Sequence, residues 1–231
     1  MPLGFLPSGI SFWPSVRGEN ENMSNPWLAI ALEDYEGHMG SDNVRQLEAL
    51  SDLFLRSLDL CVPESVAVLG VAGGNGLERI DCGITKRIVG LDINARYLEA
   101  VRQRHGSLPG LELHCADLAG QPLVVAPVEL VHAALVFEHA GLGLCLQNAL
   151  SLVAPGGKLS VVLQLPSGVD QGVSKTRYES MQTLRHGFAL IDVPRFCGTL
   201  AERGLDLMEQ EQRPLPTGKA LWLGIFGHRI Q

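Results

Sequence analysis

Residues 66–78 read VAVLGVAGGNGLE, and the choice of fold turns on them. Val66, Ala67, Val68 and Leu69 climb to Gly70, and a glycine-rich turn follows before the chain becomes polar. A short apolar run bounded by glycine fits a strand buried on both faces. The small residues after it let a ligand approach the backbone closely. A triphosphate, a dinucleotide and a nucleoside are the three ligands to test against this turn.

Spacing removes two of them. A phosphate loop of the G-x-x-x-x-G-K-[ST] kind needs a lysine after its last glycine, whereas Leu77 and Glu78 follow Gly76. A dinucleotide fingerprint needs glycines at i, i+2 and i+5. Counting from Gly74 puts the third at Arg79, and counting from Gly70 puts the second at Ala72. Glu78 near a helix start would also oppose a pyrophosphate there. What remains is Ala72-x-Gly74-x-Gly76 behind a buried strand, a pattern that a tight turn with no ligand would share.

Working outward, apolar strand candidates fall at 66–70, 87–91, 111–115, 129–134 and 158–165. Helical candidates at 95–104 and 142–153, and a shorter one after Gly76, lie between them. Upstream, Val44, Leu47, Leu50 or Ser51, Phe54 and Leu58 recur at helical spacing, with Ser41 or Asp42 able to cap them and Pro63 closing the segment. This alternation predicts an α/β, Rossmann-like, doubly wound and mostly parallel seven-stranded sheet. Towards the end a helix at 194–203 precedes strands at 205–211 and 220–227. The linker QRPLPTG is too short for a crossover, so the last two strands form a C-terminal antiparallel hairpin.

Composition narrows the partners. The 231 residues carry 25 Asp plus Glu against 18 Lys plus Arg, a formal net charge of −7. With no basic tract, the chain is a poor ligand for nucleic-acid phosphates. No apolar run reaches about 18 residues, so no membrane span is expected. The five cysteines are scattered and never form a C-x-x-C pair, which argues against a disulfide framework or a zinc site and for a reducing, cytoplasmic setting. Residues 1–25 contain Pro2, Pro7 and Pro14 and read as a loose arm, or as sequence upstream of a start at Met23. Residues 26–62 read as a helical strap, and 63–231 as the core with a lid-like insertion at about 166–193.

Two aspartates add weight to a nucleoside. RIVGLDIN ends a second strand at Asp92, where a carboxylate can accept from both hydroxyls of a ribose. LELHCADL places Asp117 just past a third strand, within reach of an adenine amino group. Each alone is more often a helix cap. Together, at successive strand ends, they describe a nucleoside pocket.

The order VLGVAGGNG, VGLDIN, CADL, ELVHAALVFEH and LVAPGGKLSVVLQ resembles the class I S-adenosylmethionine-dependent methyltransferases over about residues 64–229. LEDYEGHM resembles a bacterial subgroup of them. The resemblance implies S-adenosylmethionine as cofactor, with Gly70, Ala72, Gly74, Asn75 and Gly76 along its methionine and ribose side. Asp92 would hold the ribose and Ile93 the adenine face. Asp117 and Leu118 would meet the adenine edge, and Leu135 and Val136 the methionine part. The family usually has an acid at Gly70 and a glycine at Ala72. Asp34, Tyr35 and Glu36 are candidates to replace that acid, which helps anchor the methionine ammonium.

The sulfonium is an activated methyl donor, so positioning the acceptor is the main catalytic requirement. A protonated acceptor would want a base, for which His139, then Tyr35 and His38, are the candidates. His132, inside a strand, reads as a core histidine. In the lid-like insertion, Ser174, Thr176, Arg177 and Tyr178 are the expected acceptor contacts, with Lys175, Arg177 and Arg185 favouring an anion. A small-molecule acceptor is expected, no nucleic acid or membrane, and a homodimer is the assembly entertained. Two rivals are a protein that binds this cofactor or S-adenosylhomocysteine without turnover, and a nicotinamide-dependent oxidoreductase.

Overall fold

Successive side chains of a strand face opposite ways, and here both sets are apolar. In β1 (Ser65–Leu69), Ala67 and Leu69 join Val89 and Leu91 of β2 (Arg87–Asp92) and Val131 and Ala133 of β4 (Val128–Ala134) in one core cluster. Val66 joins Ile88 and Leu130 in another, on the opposite face. Such two-sided burial is the signature of a parallel sheet covered by helices. The protein is a computed structural model, described over residues 25–168, 177–216 and 218–228. The arm read at 1–25 lies almost wholly outside those residues.

β3 (Leu111–Cys115), β5 (Val153–Gln164), β6 (Leu205–Pro214) and β7 (Ala220–His228) complete a seven-stranded sheet of order β3-β2-β1-β4-β5-β7-β6. Pairings from β3 through to β5 are parallel. β7 runs antiparallel to both β5 and β6, which is the expected hairpin. α3 (Ala95–His105) lies on the Val66 face through Leu98 and Val101. α4 (Phe137–Ala140), α5 (Leu144–Ser151) and α6 (Val193–Ala201) lie on the Leu69 face.

α1 (Leu32–Met39) and α2 (Gln46–Cys61) precede the sheet. Two local expectations need correcting. Ser41 and Asp42 do not cap α2: it begins at Gln46, behind Arg45 in the left-handed region (φ 46°). The Ser41 hydroxyl donates back to the His38 carbonyl (2.8 Å) and closes α1 instead. After Gly76 there is no α-helix, only a 3-10 turn at Leu77–Arg79. α2 fills that space, and a Cβ on Gly76 would meet the Phe54 ring at 3.0 Å. Among the described residues no helix is long and apolar enough to cross a membrane.

Candidate functional site

The strand order reverses between β1 and β4, so the chain leaves these neighbours in opposite directions and opens a cleft at the C-terminal edge of the sheet. The space between its walls is about 1050 Å3, open solvent at the mouth included.

The turn after β1 builds the floor. Gly70 (φ 65°), Ala72 (φ 47°), Gly74 (φ 87°) and Gly76 (φ 91°) all occupy the left-handed region. For Ala72 that conformation is costly. The Ala72 N–H is drawn into it by the Asp92 carboxylate, which accepts at 2.9 Å. The other Asp92 oxygen accepts from the Asn94 N–H at 2.8 Å. Asp92 is only 7% exposed. Burial raises its carboxyl above the usual carboxylate range, and hydrogen bonds from the Asn94, Ala72 and Ile93 N–H groups oppose that rise.

Asp92 and Ile93 from β2 and Asp117 and Leu118 from β3 line one end of the cleft together. Asp117 is oriented by the Ala119 N–H, which donates to it at 2.9 Å. Gly70, Ala72, Leu135 and Val136 line the middle. Leu135 is itself left-handed (φ 55°) and donates to the Val162 carbonyl at 2.9 Å. A Cβ on Gly70 would stand 3.0 Å from Val136 Cγ2, at a φ that L-residues avoid. An acid at position 70 would meet both that contact and the left-handed backbone.

Some expected residues lie elsewhere. Gly74 and Asn75 line a smaller neighbouring cleft with Glu36 and Arg104, and Gly76 lines neither. Asn75 Nδ2 donates to the Leu47 carbonyl at 2.9 Å, so it ties the turn to α2. Neither Asp34 nor Glu36 reaches the main cleft. Arg104 grips Glu36 with both terminal nitrogens, and Ser180 donates to Asp34 at 2.5 Å. Among the described lining residues the carboxylates are Asp92 and Asp117, so neither of those two acids replaces the one absent at Gly70.

A strap at 25–31 covers the Asp92 end. Asn94 Nδ2, Arg96 and the Tyr97 hydroxyl donate to the carbonyls of Trp27 (2.9 Å), Leu28 (3.0 Å) and Ile30 (3.1 Å). Tyr35, His38 and His139 all line the cleft. Burial, then the negative charge of Asp92, pushes the Tyr35 phenol well up, so it remains a hydrogen-bond donor. His38 is buried and its imidazole is held below its usual range by that burial and then by the charge of Lys219. His139 stands edge-on to Trp27 (5.0 Å) and Phe188 (5.2 Å), and burial pushes it down to about 4. His132 is a core residue as expected. Its Nδ1 meets the Ser160 hydroxyl at 3.0 Å, and burial lowers it to about 3.

The lid turns an apolar face inward. Met181, Leu184 and Phe188, on and just after the 3-10 segment Glu179–His186, line the cleft. Arg177 and Tyr178 do not, contrary to expectation. The exposed Arg177 donates to the Tyr178 hydroxyl (2.9 Å), and Tyr178 packs against Ile30, Met181 and Leu184. Ser174, Lys175 and Thr176 lie outside the described residues.

Gln46, Gln164 and Lys219 went unread in the sequence, although they line the far end of the cleft. The signal available was register: a hairpin that pairs Gln164 with Leu221 brings Lys219 to the same edge.

Residues 68–161 match the family model described as a methyltransferase domain. This stretch runs from β1 into β5 and includes the turn, Asp92 and Asp117. Three solved structures share the fold. The N-methyltransferase NodS from Bradyrhizobium japonicum WM9, in complex with S-adenosyl-L-homocysteine, is 19% identical, covers 90% of this chain and 100% of its own, and superposes with a TM-score of 0.66. The magnesium protoporphyrin IX methyltransferase ChlM from Synechocystis PCC 6803, also with S-adenosylhomocysteine, gives 12%, 85%, 93% and 0.64. The [4+2]-cyclase SpnF gives 12%, 81%, 84% and 0.61. No curated protein matches the sequence. The domain match sets the class: this is an enzyme of the methyltransferase class.

Proposed function

We propose that the chain transfers a methyl group from S-adenosylmethionine to a small-molecule acceptor by in-line displacement, with positioning as the main catalytic effect. The cofactor is S-adenosylmethionine. Its sulfonium, when bound, supplies a methyl carbon already activated for displacement. One observation carries this reading: the cleft presents two carboxylates at successive strand ends and continues past Gly70 and Leu135 to a polar end at Gln164 and Lys219. Asp92, locked by the Ala72 and Asn94 N–H groups, would hold the ribose hydroxyls. Asp117 would accept from the adenine amino group, with Ile93 and Leu118 against its faces. Leu135 and Val136 would flank the methionine part.

The covering strap and lid support a small acceptor over a macromolecular one, because Trp27, Tyr35, Met181 and Phe188 line the same cleft from above. Their apolar faces exclude water from the transfer, and holding donor and acceptor in line is worth roughly 7–11 kcal/mol in favourable intramolecular models. An acceptor that arrives protonated has the neutral imidazole of His38 at hand. His139, between two aromatic rings, serves as a wall of the cleft. The bacterial subgroup suggested by LEDYEGHM and a cytoplasmic location belong to the same proposal.

A second reading, cofactor binding without methyl transfer, draws on Gly70, which lacks the usual ammonium anchor, and on SpnF, which shares the fold and is a cyclase. Incubation with S-adenosylmethionine and a panel of small amines, phenols, thiols and carboxylates separates the two. Acceptor-dependent release of S-adenosylhomocysteine is the expected result, and tight cofactor binding with no release for any acceptor supports the second.

A further inference from the structure

The strap reaches further across the cleft than its anchors do. Its backbone is tied just past the β2 exit, where Asn94 Nδ2 donates to the Trp27 carbonyl at 2.9 Å. The Trp27 ring, however, stands edge-on to His139 of α4, beyond the β4 exit, with centroids 5.0 Å apart. In the sheet, β1 lies between β2 and β4. The indole therefore crosses the β1 exit, and it lines the same cleft as Gly70 and Ala72, which form the floor there.

Neighbouring rings hold the indole. Tyr35 meets it edge-on at 5.8 Å, and Tyr97 backs Tyr35 at 6.3 Å while its hydroxyl donates to the Ile30 carbonyl of the strap. Edge-to-face pairs of this kind favour one mutual orientation of the rings. Burial pushes His139 down to about 4, so at neutral pH it adds no positive charge to this wall.

The floor opposite carries no acid. Among the described lining residues the carboxylates are Asp92 and Asp117, and in the reading above they take the ribose and the adenine. Leu135 and Val136 take the methionine part. The sulfur, bonded between ribose and methionine, would then fall at the β1 exit, on the side that the indole covers. A cation beside an aromatic face is attracted by the ring quadrupole, most strongly for an indole. A neutral thioether lacks that charge-dependent attraction.

We propose that Trp27, flanked by Tyr35 and His139, holds the sulfonium of the cofactor and so favours the methyl donor over its demethylated product at this site. This rests on the methyltransferase reading above, since it assigns the cover of that cofactor site. Methyl transfer removes the positive charge, so the contact weakens as the product forms. Trp27 lies outside residues 68–161, the stretch that matches the methyltransferase domain. The discrimination is thus a property of the strap and not of the glycine turn.

The test measures binding of S-adenosylmethionine and S-adenosylhomocysteine separately, by calorimetry, on the full chain and on Trp27→Leu and Trp27→Phe. In Trp27→Leu the affinity for S-adenosylmethionine should fall at least about fivefold more than that for S-adenosylhomocysteine. Trp27→Phe, which keeps a ring, should retain most of that difference. Either ligand should also quench tryptophan fluorescence in the wild type and not in Trp27→Phe, where Trp13 and Trp222 remain. Equal weakening of both ligands in Trp27→Leu means that the indole only packs, and overturns the proposal. Unchanged affinity for both, or a Trp27→Phe that discriminates as poorly as Trp27→Leu, overturns it too. If Trp27→Leu does not fold, the quenching decides: its absence in the wild type, or its persistence in Trp27→Phe, overturns the placement of Trp27. Failure of the wild type to bind either ligand strikes the underlying methyltransferase reading instead.

Discussion

Glu138 is 1% exposed behind the cleft. One of its oxygens accepts the Gln164 N–H at 2.8 Å, and the other has no hydrogen-bond partner among the described residues. Burial pushes its carboxyl up from 4.5 to about 7. Between those values the folded chain keeps a proton that the unfolded chain has released, so stability falls as pH rises through this window and levels off above it. The loss is at most about 3 kcal/mol. His132 and His139 act in the opposite sense. Burial keeps them neutral down to about 3 and about 4, so stability falls as pH drops below about 6.5. Glu138→Gln keeps an acceptor for the Gln164 N–H and cannot ionise. Melting of the variant and the wild type between pH 5 and 8 should therefore diverge, with the variant gaining relative stability as pH rises. A constant difference across that range contradicts the assignment. This group sits in the stretch ALVFEH, yet nothing in the spacing of that stretch distinguishes a buried glutamate from a solvated one.

Among the elements, the N-terminus of α3 does two jobs. Asn94 caps the helix by accepting from the Arg96 N–H (3.0 Å) and holds the strap through the Trp27 carbonyl (2.9 Å). The strap, in turn, meets the lid through Ile30, Met181 and Leu184. Cover and cleft floor are thus one connected unit, because Asn94 also donates its N–H to Asp92. Hydrogen exchange should show this. S-adenosylhomocysteine should slow amides at 27–39 and 178–188 as well as at 70–76 and 92–94, whereas slowing confined to the latter two would mean the cover is independent of the ligand. The sequence carries half of this arrangement. That Asp92 and Asp117 share one end of the cleft was legible because both follow parallel strands at the same edge of the sheet. The apolar face of the lid was not, since Met181, Leu184 and Phe188 lie in a polar segment whose inward side depends on tertiary packing. Lys219 was hidden for a similar reason: only the antiparallel return of β7 brings it to the cleft.

For the molecule as a whole, the alternation of buried strands and helices made the sheet and its closing hairpin readable from one sequence, while the missing helix after Gly76 was decided by competition from α2 for the same space. The central claim is that the sheet's switch point holds a nucleoside-type methyl donor through Asp92. Calorimetric titration with S-adenosylmethionine, S-adenosylhomocysteine and NAD, on wild type and Asp92→Ala, tests it most directly. The first two should bind the wild type and NAD should not. Removing a charged acceptor should weaken binding by about 1.5–3 kcal/mol, roughly 10- to 150-fold. Tighter binding of NAD, or S-adenosylhomocysteine affinity unchanged in Asp92→Ala, would contradict it.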